Sequence, residues 1–100
     1  MEGQATISAD VLATYAADAA REVAGVRRLS GRAVPGRRGV RVEAADGGVT
    51  VELHLAVDWG AQIPKVGREV QQRVREYLGR MADVELVAVN VVVDQVGPLR

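Results

Sequence analysis

Strict alternation between apolar and other side chains from Val49 to Trp59 constrains the fold more than any other feature of this sequence. Successive side chains of a β-strand point to opposite faces, so every second residue of such a run shares one face. The apolar set is Val49, Val51, Leu53, Leu55, Val57 and Trp59. The other set is Thr50, Glu52, His54, Ala56 and Asp58. The run therefore predicts a strand that buries its apolar set, Trp59 included, and turns its other face to water or to a partner.

Two segments have the apolar spacing of amphipathic helices. The first covers about residues 9 to 24. Ser8 is placed to cap it and Gly25 to end it, because a serine hydroxyl accepts from a first-turn amide and glycine adopts positive φ without strain. The second covers about residues 64 to 81 and starts at Pro64, where the missing N–H costs nothing. Its predicted buried stripe comprises Val66, Val70, Val74, Tyr77, Leu78 and Met81.

Further strands are predicted on both sides of the alternating run. They comprise a short strand at residues 4 to 7, a strand at residues 26 to 34, the segment GVRVEA from Gly39 to Ala44, and the valine-rich segment VELVAVNVVVDQV from Val84 to Val96. The sequence DGG at residues 46 to 48 predicts a hairpin turn. In the last strand the predicted core side is Val87, Val89, Val91 and Val93, and the opposite side is Ala88, Asn90, Val92 and Asp94.

These elements predict an α+β fold with a single domain, residues 1–100. Two amphipathic helices can cover only one face of a sheet. We therefore expect a two-layer sandwich with two helices on one face of a mainly antiparallel sheet of three to five strands. A split βαβ arrangement, in which another strand separates the two strands joined by the second helix, is the expected topology.

The chain also resembles a known family from Gly3 to Val96, and three segments between Ile7 and Val96 carry this resemblance. They are ISADVLATYAADAAREVAGV, GVRVEAADGGVTVELHLAVDWGAQIPKVGREVQQRVREYL and VELVAVNVVVDQV. Their most specific elements are the helix closed by EVAGV, the proline-started helix with a VQ pair at Val70 and Gln71, and the terminal VNVVV. In these elements, and in their order, the chain resembles the alkaline shock protein family of Gram-positive bacteria, also called the envelope stress response family.

The resemblance implies a cytoplasmic, non-enzymatic protein associated with cell-envelope stress. It further implies a homo-oligomer that lies peripheral to the inner face of the cell membrane through an anchoring or envelope-associated partner protein. The absence of cysteine and of any run near the roughly 20 apolar residues of a membrane span agrees with this expectation. The chain departs from the family pattern in MADVEL, which lacks a common glycine, and at Val92, where relatives often have a polar residue.

A search for reactive groups predicts no catalytic residue, no cofactor site and no metal site. His54 is the only histidine. Together with Glu52 on the same strand face it supplies two ligands where a metal site needs three or four, so we interpret it as a solvent-facing strand histidine. Ser30 has no acid–base partner in a recognisable motif. Gly31 and Gly36 have the separation of a phosphate loop, but arginines follow where Lys and Ser or Thr are required.

Arginines are concentrated between Glu22 and Glu43, a stretch without any acid, although the formal net charge of the chain is zero. The candidate contacts for a partner, a phosphate or a lipid headgroup are Arg27, Arg28, Arg32, Arg37 and Arg38. The neutral balance favours a solvated loop, or a patch that pairs with the acidic surface of a second copy. The alternative function is a small nucleic-acid-binding module that uses the arginine-rich segment 27–41.

The second candidate surface is the sheet face that the helices leave uncovered. Its expected members are Thr50, Glu52, His54, Ala88, Asn90 and Val92. Asn90 is interpreted either as a specificity contact or as a polar residue that keeps a valine-rich strand from aggregating. The leading hypothesis is an interaction protein that acts by homo-oligomerisation and partner docking through this face.

Overall fold

Two helices pack on one face of a four-stranded sheet in the computed structural model, which describes residues 8–30, 39–45, 47–82 and 84–97. The elements in chain order are α1 (Ala9–Arg21), β1 (Val26–Leu29), β2 (Val40–Ala45), β3 (Gly48–Val57), α2 (Ile63–Met81) and β4 (Leu86–Val96). The predicted α+β class and the two-layer arrangement are confirmed. The short strand predicted at residues 4 to 7 lies outside the described residues.

Local sequence signals determine where the helices begin and end. The Ser8 hydroxyl accepts a hydrogen bond from the Val11 amide at 3.2 Å and caps α1. α1 ends at Arg21, three residues before the predicted end, because the chain turns before it reaches Gly25, whose φ is 96°. α2 begins one residue before Pro64, which occupies the first turn as expected.

β3 lies in the middle of the sheet and is paired along both of its edges. β4 runs parallel to residues 49–57 of β3, with α2 as the crossover between the two strands. β1 and β2 run antiparallel to β3 and share its other edge end to end, since β1 lies opposite residues 55–57 and β2 opposite residues 48–53. The two strands joined by α2 are therefore direct neighbours, and the expected split βαβ topology is wrong.

The strand predicted at residues 26 to 34 stops at Leu29. The Ser30 amide donates to the His54 carbonyl at 2.8 Å, and the His54 amide donates to the Gly39 carbonyl at 2.8 Å. Ser30 and Gly39 are therefore both hydrogen-bonded to the same β3 residue, His54. The residues between these two points lie outside the described ranges.

The core lies between the sheet and the helices. The largest side chains in it that lose nearly all of their solvent exposure are Leu53, Leu55, Leu78, Val40, Val51, Val57, Val70 and Val74. α1 contributes small alanines, which let its backbone approach the sheet closely. Tyr15 and Tyr77 join the two helices edge to face, with their ring centroids 5.9 Å apart. The buried set predicted for β3 is confirmed from Val51 to Val57.

Two residues predicted to lie in the core are exposed instead. Trp59 is 64% exposed because β3 ends at Val57 and the chain turns before α2, so the alternation of the strand no longer applies to it. Met81 is 47% exposed because it is the final residue of α2. The buried stripe within this helix therefore ends at Leu78.

Val87 is also more exposed than predicted, at 51%. The register of β4 against β3 shifts from the Val49–Leu86 pair to the Thr50–Ala88 pair, so Val87 has no partner on β3. A bulge of this kind inserts one extra residue and breaks the alternation of faces at that point. Leu86, which lies opposite Val49 and packs against the core, takes the place predicted for Val87.

Candidate interaction face

The sheet face opposite the helices carries the six residues predicted to form a docking surface. Facing residues of two paired strands lie on the same side of the sheet. The register pairs Thr50 with Ala88, Glu52 with Asn90 and His54 with Val92. We call the surface formed by these six residues the open face. The structure thus brings all six together, while their part in binding stays a prediction.

β4 gives the open face an apolar component. Val92 is 39% exposed and Ala88 is half-buried. Asn90 is exposed and lies between them along the strand, on the side opposite the core as predicted. A polar residue at this place interrupts an otherwise apolar strand surface, which lowers its tendency to aggregate.

β2 adds charged residues to the same face. Arg41 lies opposite Glu52, and Glu43 lies opposite Thr50. Arg41 and Glu43 form an exposed ion pair at 3.5 Å, a contact that contributes little to stability in water. Both signs of charge are therefore present on this side of the sheet, next to the apolar groups of β4.

A polar cluster extends across three strands of this face. His54 Nε2 lies 2.6 Å from Glu52 Oε2, and His54 Nδ1 lies 3.1 Å from Asp94 Oδ2. The Ser30 hydroxyl donates to the other carboxylate oxygen of Asp94. Ser30 is buried, and the His54 side chain is only 20% exposed. We call Ser30, Glu52, His54 and Asp94 the His54 cluster.

The geometry of the His54 cluster favours a protonated imidazole. Each ring nitrogen faces a carboxylate, which only accepts hydrogen bonds, and both nitrogens donate at once only in the imidazolium form. The hydrogen bond to Glu52, and secondly the one to Asp94, raises the pKa of His54, while burial opposes the shift. The hydrogen bond from Ser30, followed by that from His54, lowers the pKa of Asp94, against burial. Loss of the His54 proton would therefore remove a positive charge that lies between two carboxylates.

His54 lies on the uncovered face of β3, in agreement with its interpretation as a solvent-facing strand histidine, but both of its nitrogens are engaged with carboxylates. This engagement also leaves neither nitrogen a free lone pair for a metal ion. Within the part of the chain that the structure describes, no group of three or more His, Asp or Glu side chains is arranged to hold a metal.

Sequence reasoning did not find two members of this cluster. Asp94 is 40 residues from His54 in the chain, and Ser30 is 64 residues from Asp94. Alternation does place Asp94 on the same side of β4 as Val92, which is the one sequence signal that was available. Only the register of the parallel pair could show that this carboxylate reaches a histidine on the neighbouring strand.

The arginine candidates do not form one cluster in the described residues. Arg27 lies 4.0 Å from the Asp58 carboxylate. Arg28 donates to the side-chain oxygen of Gln95 at 2.6 Å, across β3 on the same side as the open face. The other three candidates, Arg32, Arg37 and Arg38, lie outside the described residues. Arg27 lies at an irregularity in the register of β1, and the two arginines are engaged with different acceptors, so they do not share one partner.

Substitution of His54 with glutamine is expected to change how stability depends on pH. Because the pKa of His54 is raised in the folded chain, its stabilising effect is complete below the ordinary value of 6.5 and is lost as pH rises through the folded value. The free energy of unfolding, measured with urea over a pH series, should fall across this range for the original chain. His54→Gln should lack that fall, and equal slopes for both proteins would contradict the proton-sharing geometry.

None of the helices in the described residues is both long enough and apolar enough to cross a membrane.

Comparison with known protein families gives one match that covers almost the whole chain. Residues 1–98 match the alkaline shock protein 23 family, which is described as having a cell envelope-related function. The uncharacterized protein YqhY of Bacillus subtilis (strain 168) is 31% identical over 99 residues, which covers 89% of this chain and 73% of that protein. The uncharacterized protein Spy1535 of Streptococcus pyogenes serotype M6 is 28% identical over 100 residues, covering 92% of this chain and 78% of that protein.

Solved structures with a similar fold include variants of the MamM CTD. A cadmium form superposes with a TM-score of 0.59 at 15% identity, covering 88% of this chain and 98% of that one. A nickel form of another variant superposes with a TM-score of 0.58 at 14% identity, again covering 88% and 98%. At such identities the likeness concerns the fold alone.

Proposed function

Because the chain belongs to the alkaline shock protein family, whose function is related to the cell envelope, we propose that it is a non-enzymatic envelope stress response protein acting by self-association and partner docking. The open face is the observation that carries this proposal. It combines exposed apolar groups with charges of both signs, on the sheet face that the helices do not cover. Exposed apolar groups rimmed by polar residues are typical of protein interaction sites.

Charge on and beside the open face supports association between copies of the chain. Arg28 and Arg41 supply positive charge, and the His54 cluster supplies the carboxylates of Glu52 and Asp94. In a two-fold dimer the same surface of both copies meets, so each positive group of one copy can face a negative group of the other. The zero net charge of the chain removes the general repulsion that would oppose such a contact.

The arrangement of Ser30 supports the non-enzymatic part of the proposal. Its hydroxyl donates to Asp94, and the imidazole of His54 is occupied by the two carboxylates. A nucleophilic serine needs an adjacent base that takes its proton. Here the nitrogen atoms that could act as that base are already donors, so the four groups form a structural network rather than a catalytic triad.

Substitution of Val92 with glutamate is expected to prevent self-association of the chain. A buried carboxylate in the middle of an interface costs far more than the contact of one valine contributes. Light scattering coupled to gel filtration, over a range of protein concentrations, should show oligomers for the original chain and monomers for Val92→Glu. Val11 is a matched control, because it is 40% exposed on the helical side of the molecule.

Val11→Glu should associate like the original chain. A monomeric original chain at every concentration, or equal weakening by both substitutions, would contradict self-association through the open face.

Partner docking is tested in cells under envelope stress. Affinity purification with the original chain as bait should recover an envelope-associated anchor protein and place the chain at the inner face of the cell membrane. Val92→Glu should lose that protein, and Val11→Glu should retain it. Recovery of no envelope protein by the original chain would leave this part of the proposal without support.

The alternative function in nucleic-acid binding stays a prediction. Arg27 and Arg28 are each engaged with a different side chain of the chain, Asp58 and Gln95, which weakens it. A gel-shift experiment at low salt, where counterion release favours binding most, tests it directly.

A further inference from the structure

A second exposed surface lies at the end of the sheet where β3 and β4 both finish. Val57, the last residue of β3, lies opposite Val96 of β4, and the chain enters α2 shortly afterwards. Three apolar side chains are well exposed here, namely Trp59 at 64%, Val96 at 45% and Ile63 at 41%. We call the surface formed by Trp59, Ile63, Lys65, Arg68 and Val96 the strand-end patch.

Trp59 is held outward by a closed turn. The Ala61 amide donates to the Asp58 carbonyl at 3.0 Å, and Gly60 has a φ of 90°, which fits a type II turn with Trp59 at its second position. The Asp58 amide in turn donates to the Gly25 carbonyl at 2.9 Å. Because these two hydrogen bonds fix the turn in place, the fold itself exposes this large aromatic ring to solvent.

The charges beside these apolar groups are mainly basic. Lys65 and Arg68 are exposed in the first two turns of α2, and the first turn of this helix contains no acid. Asp58, which precedes Trp59, faces Arg27 at 4.0 Å. The strand-end patch therefore combines apolar side chains with an excess of positive charge, since Lys65, Arg68 and Arg27 outnumber Asp58 and Glu69, and this excess is complementary to an anionic lipid surface.

The apolar surface continues from Ile63 into a groove between α2 and β4. Its wall is formed by Ile63, Pro64, Arg68 and Gln71, and its floor by Val91 and Val93. The half-buried valines extend the apolar contact area beyond the exposed side chains alone, while Arg68 keeps a positive charge at the rim.

We propose that the strand-end patch binds anionic lipid surfaces directly. Trp59 and Ile63 enter the headgroup region, while Lys65 and Arg68 contact lipid phosphates. Tryptophan suits this place because its ring is apolar and its indole N–H remains able to donate to headgroups. The proposal goes beyond partner docking, since it needs neither the open face nor an anchor protein.

The test measures binding of the full chain to vesicles of phosphatidylglycerol and phosphatidylcholine in equal parts. Trp59 is the only tryptophan of the chain, so its fluorescence reports the patch alone. We expect the emission to shift to shorter wavelength and the protein to sediment with these vesicles. Binding should be reversible, should weaken with added salt, and should be far weaker to vesicles of phosphatidylcholine alone.

Matched substitutions distinguish binding through the strand-end patch from nonspecific binding to vesicles. Trp59→Ala should weaken sedimentation with anionic vesicles about tenfold, as expected for the loss of one buried apolar side chain. Met81→Ala is its control, because Met81 is exposed at the opposite end of α2. Arg68→Glu should weaken binding several-fold, whereas Arg75→Glu, the same change at another exposed position of α2, should leave it unchanged.

The lipid proposal fails if anionic vesicles neither shift the Trp59 emission nor carry the chain into the pellet. It also fails if Trp59→Ala and Met81→Ala bind equally well, or if the emission shifts with protein concentration in the absence of lipid, which would indicate a protein interface. Val92→Glu should still bind vesicles, so that a failure of the open face and a failure of the strand-end patch are told apart.

Discussion

Replacement of Gly39 with alanine is expected to lower the free energy of unfolding by about 3 kcal/mol. Gly39 has a φ of 76°, a conformation that strains any residue with a Cβ atom. An added Cβ would also overlap the carbonyl oxygen of Ser30, which is backbone and cannot move aside as a flexible side chain could. Gly39 and Ser30 both bond to His54, so the substitution would force apart the two strand segments at that point.

Urea unfolding followed by circular dichroism measures this effect, and Gly47 provides the control. Gly47 also has positive φ, at 81°, but an added Cβ there meets no described atom within 4 Å. Gly47→Ala should therefore cost only the backbone strain, about 1 kcal/mol. Equal losses in the two variants would mean that the close approach of Gly39 to Ser30 is not a feature of the folded chain.

Replacement of Leu53 with alanine is the second large expected effect, a loss of about 2–5 kcal/mol. Leu53 is completely buried in the middle of β3, so the substitution removes apolar contacts and leaves a cavity under the helices. The same urea experiment gives the size of the loss. Association measured on the remaining folded protein should be unchanged, because Leu53 faces away from the open face.

Val92→Ala is the counterpart of this substitution on the other side of the sheet. Val92 is partly exposed, so its truncation should cost less than about 1 kcal/mol of stability. It should instead weaken self-association. A larger loss of stability for Val92→Ala than for Leu53→Ala would contradict the assignment of the two sheet faces.

The His54 cluster makes the charge of the open face depend on pH. Loss of the His54 proton removes one positive charge beside Val92, which lies opposite His54 in the sheet. The surrounding charged groups on this side are Glu52 of β3, Asp94 of β4, Arg41 and Glu43 of β2, and Arg28 of β1. The stability test on His54→Gln therefore also probes the electrostatics of the open face.

Much of the fold could be predicted because its signals are local. Alternation in β3 identifies the buried side of the strand, and the serine cap and the proline mark the helix starts to within one residue. The same alternation places Asn90 on the open side, away from the core. These predictions depend on spacing within one element, and a short stretch of sequence contains all the information that they need.

Predictions failed where an element ended or its regularity broke. Trp59 continues the alternating pattern in sequence, but β3 ends two residues earlier and a turn exposes its ring. Val87 continues the valine row, but a bulge removes it from the register. Where a strand ends or forms a bulge depends on its register and packing against the neighbouring strand and helix. The residues of the strand itself do not show this.

Spacing within the sequence is enough to predict the class of fold, the buried faces of the main elements and the composition of the open face. The tertiary structure adds that β4 lies directly beside β3, that Asp94 and Ser30 complete a network around His54, and that Val96 lies at the same end of the sheet as Trp59. The physical reason is that side-chain periodicity acts over a few residues, whereas these contacts depend on strand register and on a helical crossover between residues far apart in the chain.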